Sequence, residues 1–217
     1  EFLITAKGQE PPAHMPQVKR SLALMYAVNP FGSDHESSDH DLTYEEESYK
    51  GFEDRYASLG LNNPLPAQSL DPAKVEFARI TQQFFGMLDS VNLCHFVWGV
   101  SWPLYGPEQA AAMVKAVTGW DVTLQELLEV GERRVNMMRA FNAREGIARD
   151  QDKLPAKFFD RPLKGGPSDG VKVDKAQFEA ALQEYYRQCG WDESSGVPKR
   201  ETLERLGLNW MADQLGI

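Results

Sequence analysis

The sequence has few cysteines, no long hydrophobic run and no excess of positive charge. Only Cys94 and Cys189 occur among its 217 residues, which is too few for a disulfide framework and fits a reducing, cytoplasmic environment. Because no stretch approaches the roughly 18 apolar residues of a membrane span, we expect neither a spanning helix nor a signal peptide. The 23 basic and 32 acidic side chains leave a net charge of −9, which argues against nucleic acid and anionic membranes as partners.

The composition that remains is that of a folded protein. Hydrophobic residues make up 42% of the chain and aromatic residues 11%, enough apolar surface to offset the entropy of ordering the backbone. Residues 1–7 predict a short strand, and residues 22–28 predict a helix that ends at Asn29-Pro30. Since the chain begins at Glu1 in a hydrophobic segment, we expect it to be a piece of a longer polypeptide.

Helix signals dominate from residue 71 onward. Asp71 precedes a first-turn proline, Thr123 pairs with Glu126 as a capping box, and a last helix breaks at Gly207. No βαβ alternation and no internal repeat occurs. The sequence therefore predicts an all-α fold, an irregular multi-helix bundle with a short N-terminal strand. Its N-terminal part, residues 1–70, is irregular, with a weak acidic helix capped by Thr43, and residues 71–217 form the helical core.

One group of residues that could carry chemistry is the polar segment 34–41, which contains His35 and His40. Imidazoles and carboxylates this close together suit a divalent metal, although a spacing of five residues separates the two rings on a helix. A solvated loop explains the same pattern without any site. If a histidine works here, its pKa near neutrality suits proton donation to a substrate oxygen.

A second group is the segment 89–95, which contains Asp89 and Cys94 at the predicted end of a helix. Cys94 has apolar neighbours, so it is either a packed core cysteine or a ligand whose thiolate needs a positive partner or a metal. The other cysteine, Cys189, lies at a helix C-terminus, where the helix dipole disfavours a thiolate, and we interpret it as structural. No glycine-rich phosphate loop is present.

Several short patterns occur in one order along nearly the whole chain. They read KGQEPPAH at 7–14, LMYAVNPFGSDH at 24–35, DSVNLC at 89–94, GWD at 119–121, GERR at 131–134, FNAREG at 141–146 and YYRQCGWD at 185–192. Together they resemble the C-terminal region of the tungsten-dependent aldehyde:ferredoxin oxidoreductase family. The resemblance implies the C-terminal helical domain of an enzyme that oxidises aldehydes to carboxylates and passes electrons to ferredoxin. Its partners are then the N-terminal and middle domains of the same polypeptide, ferredoxin and a small aldehyde.

The resemblance also implies cofactors and site residues. The full enzyme holds tungsten, or molybdenum, between two pterins beside a [4Fe–4S] cluster. Cys94 matches the cysteine that completes the ligation of the cluster, and Asp89 matches an acidic residue of the pterin motif. Leu93 matches the position where the backbone approaches the pterin, and His35 matches a histidine that assists the substrate oxygen. A single cysteine cannot hold a four-iron cluster, so we expect the isolated chain to be inactive and free of cofactor.

One position departs from the family pattern. Asn92 stands where the family usually has glycine; asparagine also adopts the left-handed conformation, but its side chain would crowd a cofactor. An alternative is therefore a non-catalytic helical scaffold or interaction domain that keeps the fold without the site. A Cys-x-x-Cys-x-x-x-Cys pattern upstream of Glu1 would favour the enzyme. A third hypothesis is a simple metal-binding protein that uses His35 and His40. If the enzyme hypothesis is right, His35, Asp89 and Cys94 should line one hollow.

Overall fold

The computed structural model describes residues 3–217, and its regular secondary structure is helical. Within those residues the α-helices are α1 (Arg20–Val28), α2 (Glu46–Tyr49), α3 (Glu53–Ser58), α4 (Pro72–Ser90), α5 (Pro107–Thr118), α6 (Leu124–Arg144), α7 (Lys157–Asp160), α8 (Lys175–Cys189), α9 (Arg200–Arg205) and α10 (Asn209–Leu215). Short 3₁₀ segments lie at Asp41–Tyr44, Arg149–Gln151 and Gly166–Ser168. The prediction of an all-α fold is confirmed. No helix of the described part of the chain is long and apolar enough to cross a membrane.

The prediction of a strand over residues 1–7 is wrong for residues 3–7, which form no strand. Residues 1 and 2 lie outside the described residues. A tight turn occupies this place instead, with an isolated antiparallel bridge between Ala6 and Gln9. Lys7 and Gly8 both have positive φ, at 50° and 80°, so the chain reverses direction after Ala6. Among residues 3–9 the backbone pairs only across this turn, so these residues form no strand of a sheet.

Helix α1 lies at the centre of the fold, and all nine of its residues are buried. It ends before Asn29-Pro30, as predicted. Its first turn lacks a local cap, and the distant Asp41 carboxylate supplies one. Asp41 accepts hydrogen bonds from the Ser21 backbone N–H at 3.1 Å and from the Ser21 hydroxyl at 2.6 Å. Lys74 of α4 pairs with the same carboxylate at 2.9 Å, so α1 and α4 share one buried anion.

Helices α4 and α6 form the main packing interface, and they touch at two glycines. A Cβ on Gly131 of α6 would lie 1.7 Å from the Gln83 carbonyl oxygen of α4, and a Cβ on Gly86 would lie 3.3 Å from the Gly131 carbonyl oxygen. Backbone therefore packs directly on backbone at this crossing. The predicted caps of both helices are confirmed: Asp71 accepts from the Lys74 N–H at 2.9 Å, and Thr123 forms its capping box with Glu126.

The predicted capping box at Thr43 is wrong. Helix α2 begins after Glu45, which makes no side-chain cap, and Thr43 lies in the preceding 3₁₀ segment. The Thr43 hydroxyl donates to the His40 carbonyl at 2.6 Å and accepts from the Tyr56 hydroxyl at 2.8 Å. A tertiary hydrogen bond thus replaces the local one. The predicted break at Gly207 is present between α9 and α10, and the division of the chain at residues 70 and 71 stays a prediction.

Candidate functional site

A cavity of about 440 Å³ opens between the N-terminal segments and the end of α4. All four histidines of the sequence line it, namely His14, His35, His40 and His95. Its other lining residues are Lys19, Glu36, Ser38, Asp39, Leu42, Thr43, Phe85, Phe96, Ser101, Trp102 and Pro103. The cavity therefore combines one wall of imidazoles and charged groups with another of apolar and aromatic side chains, the composition expected of a small-molecule site.

Close backbone packing positions the histidines on the polar wall. Gly32 has a φ of +95°, and a Cβ there would lie 2.3 Å from the Ala6 carbonyl oxygen. Only glycine fits at this contact, which holds the segment before His35 against the turn before His14. The ring centroids of His14 and His35 lie 4.7 Å apart, and those of His14 and His40 also lie 4.7 Å apart.

The segment 89–94 forms a turn at the C-terminus of α4. Asn92 has a φ of +57°, so it adopts the left-handed conformation that is open to asparagine as well as to glycine. The Leu93 N–H donates to the Leu88 carbonyl at 2.9 Å and closes the turn. Leu93 is half-buried, whereas Asp89, Asn92 and Cys94 are exposed, and the Cys94 thiol is free. The turn thus presents its carboxylate and its thiol outward, and the Asn92 side chain does not occupy the interior.

His95 connects this turn to the cavity. Its Nε2 lies 3.0 Å from Asp89 Oδ1 without hydrogen-bond alignment, and its Nδ1 lies 4.0 Å from Glu36 Oε2. Glu36 Oε1 lies 3.1 Å from His35 Nε2. On the outer side, Arg134 of α6 pairs with Asp89 at 2.7 Å. Of the predicted site residues, His35 lines the cavity, whereas Asp89, Leu93 and Cys94 are not among its lining residues. The expectation that His35, Asp89 and Cys94 line one hollow is therefore not met: Asp89 contacts His95 of the lining, and Cys94 precedes His95 in the chain.

The described residues contain no group of three histidine, cysteine, aspartate or glutamate side chains that could hold a metal ion. His35 and His40 lie 6.1 Å apart between ring centroids, and His40 directs its Nε2 to the His35 carbonyl at 3.0 Å. The hypothesis of a simple metal-binding protein based on these two histidines therefore has no support from the geometry of residues 3–217.

The two cysteines differ sharply in environment, which gives a direct prediction. Burial raises the pKa of the Cys189 thiol to about 12, so only about 10⁻⁴ of it is thiolate at pH 8. Cys94 is exposed. We expect iodoacetamide at pH 8 to modify one thiol per native, cluster-free chain, and peptide mapping to identify it as Cys94. Both thiols should react in denaturant, and native modification at Cys189 first would contradict the structure.

Sequence reasoning did not select five residues that the structure places at the site: His14, Lys19, Glu36, His95 and Arg134. His95 follows Cys94 directly in the sequence, and its Nε2 lies 3.0 Å from the Asp89 carboxylate. The available signal was indirect, since four of the five residues lie in or next to the short patterns that carry the family resemblance.

Comparison with known proteins identifies the class of protein to which this helical fold and site belong. The family model "Aldehyde ferredoxin oxidoreductase, domains 2 & 3" matches residues 1–208. The chain is 30% identical over 211 residues to the tungsten-containing aldehyde ferredoxin oxidoreductase of Pyrococcus furiosus, and 29% identical over 210 residues to that of Thermococcus kodakarensis. Both matches cover 96% of this chain. The chain belongs to the aldehyde ferredoxin oxidoreductase family, as the sequence patterns predicted.

The matches also show how much of its relatives' length this chain covers, and that the relatives carry different names. The chain spans 31% of the length of these two curated relatives. A protein of Pyrococcus furiosus named "Aliphatic sulfonate oxidoreductase, WOR-like subunit" is 31% identical over 143 residues, which covers 63% of this chain and 21% of that protein. A solved active-site complex BamBC of benzoyl coenzyme A reductase has the same fold, with a TM-score of 0.67, 17% identity, and coverage of 94% of this chain and 32% of that one.

Proposed function

We propose that this chain is the C-terminal helical domain of a tungstopterin oxidoreductase that oxidises aldehydes to carboxylates and passes electrons through a [4Fe–4S] cluster to ferredoxin. In the full-length protein the domain covers the pterin and cluster site. The observation that carries the proposal is the exposed Cys94 thiol, which directly precedes His95 and Phe96 in the chain, two residues that line the cavity together with His35. The tungsten relatives, which align with 96% of the chain, support it.

Cys94 fits one ligand position of a shared cluster. It is the exposed cysteine of the chain, and it follows a turn whose backbone hydrogen bonds fix its position: its carbonyl accepts from the Val97 and Trp98 N–H groups, both at 2.9 Å. A four-iron cluster takes four thiolates. The other three ligands then come from the rest of the polypeptide, so Cys94 joins this domain to the domain that holds them.

Asp89 fits the role of a hydrogen-bond acceptor for a pterin. Its carboxylate is exposed at the same turn and is oriented by Arg134 at 2.7 Å. A carboxylate accepts charge-assisted hydrogen bonds from N–H groups such as those of a pterin ring. Asn92 takes the left-handed conformation that glycine adopts readily, which supports a close approach of the Leu93 backbone to the ring. These positions favour the enzyme over a scaffold that has lost its site.

His35 fits the role of hydrogen-bond or proton donor to a substrate oxygen. It lines the cavity, where Glu36 Oε1 lies 3.1 Å from its Nε2. An imidazole N–H in this cavity can donate a hydrogen bond or a proton to a substrate oxygen. When bound, the tungsten–pterin centre supplies the two-electron chemistry. His35 orients the aldehyde, and the aromatic side chains of the cavity would exclude water from it once the other domains cover them.

The exposed aromatic residues at the cavity fit a contact with the other domains of the polypeptide. Phe96 is 84% exposed and Trp102 77% exposed, and both line the cavity. Large apolar side chains this exposed mark interaction surfaces. We propose that the N-terminal and middle domains close over them.

The substrate class is a separate question, because one relative is named for aliphatic sulfonates rather than aldehydes.

The proposal is tested on the full-length protein with Cys94→Ala. We expect this variant to lose the electron paramagnetic resonance signal of the reduced [4Fe–4S] cluster, its cluster iron and its aldehyde-dependent ferredoxin reduction. The matched control, Cys189→Ala, changes a buried cysteine on α8 and should keep all three. A Cys94→Ala protein with the full cluster signal would remove Cys94 from the ligand set and contradict the proposal.

A further inference from the structure

A loop that is closed by backbone hydrogen bonds forms part of the cavity wall. The Gly99 N–H donates to the Tyr105 carbonyl, and the Tyr105 N–H donates to the Val97 carbonyl, both at 3.0 Å. We call the loop between these bonds, residues 99–105, the strap. The strap residues that line the cavity are Ser101, Trp102 and Pro103. The position of the strap therefore helps to set the shape of the cavity.

The guanidinium of Arg55 on α3 holds the strap by its backbone. Its Nη1 donates to the Pro103 carbonyl at 2.8 Å and to the Ser101 carbonyl at 3.4 Å. Its Nη2 donates to the Leu104 carbonyl at 3.1 Å. A planar guanidinium presents several N–H donors in a fixed fork, whereas a lysine presents a single ammonium group. One arginine side chain thus fixes the backbone of three strap residues.

The strap backbone in turn decides where Trp102 lies. The Trp102 side chain is exposed, so few contacts with the described part of the chain fix it directly. The backbone on both sides of it is anchored instead. The Ser101 hydroxyl donates to the buried Asp39 carboxylate at 3.3 Å, and Arg55 bonds to the two carbonyls that follow Trp102. The direction in which the indole faces the cavity therefore depends on these bonds.

Arg55 acts on the cavity only through the strap. It is not one of the cavity-lining residues. Its aliphatic stem packs on Gly106, where a Cβ would lie 2.9 Å from Arg55 Cγ and Cδ. Gly106 is the N-cap of α5. Arg55 therefore joins α3, the strap and the start of α5, and it is a positioning residue for the apolar wall.

We propose that Arg55 determines substrate specificity: it holds the strap so that Trp102 contacts the hydrocarbon part of the aldehyde. The inference rests on the proposed function, because it concerns the substrate class of the same site. An aromatic aldehyde gains contact area against an indole, whereas a two-carbon aldehyde gains almost none. The preference for a bulky aldehyde over a small one thus depends on an arginine that touches neither.

Steady-state kinetics of the full-length enzyme with benzaldehyde and acetaldehyde test this role. Arg55→Met keeps an apolar side chain against Gly106 but removes the guanidinium. We expect it to raise the KM for benzaldehyde about tenfold, because the loss of charge-assisted hydrogen bonds releases the strap. The KM for acetaldehyde and both kcat values should change less than about twofold, since His35 is unchanged. Arg55→Lys keeps one donor group and should give an intermediate KM for benzaldehyde.

Two further variants separate specificity from general stability. Arg187→Met removes an exposed arginine on α8, outside the cavity lining, and should change neither KM. Trp102→Ala removes the contact itself, so adding Arg55→Met to it should raise the KM for benzaldehyde no further. Equal changes for both aldehydes in Arg55→Met would mean that Arg55 only stabilises the fold and would overturn the proposal. Full additivity in the double variant would overturn it as well.

Hydrogen exchange measured by mass spectrometry distinguishes a failure of this proposal from a failure of the proposed function. The Gly99 and Tyr105 N–H groups are hydrogen-bonded, and in full-length Arg55→Met we expect their peptide to exchange at least about tenfold faster than in wild type. If wild type oxidises neither aldehyde while the strap exchanges faster in Arg55→Met, the proposed function falls and the substrate preference falls with it. If aldehydes are oxidised but exchange is equal in both proteins, the proposal about Arg55 falls alone.

Discussion

Replacing Gly131 with alanine is expected to destabilise the fold by about 3 kcal/mol or more. The added Cβ would lie 1.7 Å from the Gln83 carbonyl oxygen, 2.7 Å from the Gln83 carbonyl carbon and 2.9 Å from the Met87 nitrogen. All three atoms belong to the backbone of α4, so no side chain can rotate away, and the two longest helices must separate. Their separation would expose the apolar residues buried between them.

The free energy of unfolding, measured by urea denaturation, tests this prediction. Gly51→Ala is the matched control, because a Cβ there would meet only the Ser48 carbonyl oxygen at 3.8 Å. We expect the control to change stability by less than about 1 kcal/mol. Equal stability of the Gly131 and Gly51 variants would mean that α4 and α6 do not cross at this point. The crossing also matters for the site, since Asp89 follows it on α4 and Arg134 on α6.

Replacing Asp152 with asparagine is expected to cost about 3–5 kcal/mol of stability. Asp152 is 1% exposed, and its carboxylate pairs with Lys7 at 2.7 Å and with Arg139 at 2.7 and 2.9 Å. It also accepts a hydrogen bond from the Tyr186 hydroxyl. Without the carboxylate, two buried cations would face each other without a counter-charge. Burial already lowers the pKa of Lys7, and Asp152 opposes that shift.

Thermal or urea unfolding of Asp152→Asn at pH 7 measures this effect. The neighbouring Asp150 is exposed, so Asp150→Asn is a charge-matched control that should change stability by less than about 0.5 kcal/mol. The Lys7→Met, Asp152→Asn double variant removes one of the two cations left without a counter-charge, so it should recover part of the lost free energy of unfolding. A single variant as stable as its control would contradict the buried ion pairs.

Local chemistry predicted the helices well because the decisive bonds are local. Asp71 and Thr123 bond to N–H groups three residues ahead, and the Asn29-Pro30 pair ends α1 within the same turn. Thr43 matched the same capping pattern, but its hydroxyl makes other hydrogen bonds. It donates to the His40 carbonyl and accepts from the hydroxyl of Tyr56, thirteen residues away. A capping pattern of four residues does not indicate whether a distant side chain such as Tyr56 will bond to the capping hydroxyl.

The site was predictable only where a motif marks it. His35, Asp89, Leu93 and Cys94 were selected by resemblance, and their roles stay predictions. The pairing of Lys19 with His14 and His40 joins residues five and twenty-one positions apart, and no spacing rule indicates it. The same holds for Asp41 with Lys74, thirty-three positions apart. These contacts depend on how α1, the 3₁₀ segment and α4 pack, which periodicity does not specify.

Accessibility of Cys94 in the full-length protein tests the central claim most directly. We expect iodoacetamide at pH 8 to leave Cys94 unmodified while the cluster is bound, and to modify it fully after a chelator removes the iron under anaerobic conditions. Mass spectrometry of the Cys94 peptide before and after iron removal gives both values on one sample. Modification of Cys94 at the same rate in the cluster-bound and iron-free protein would contradict the claim that this domain contributes a ligand to the cluster.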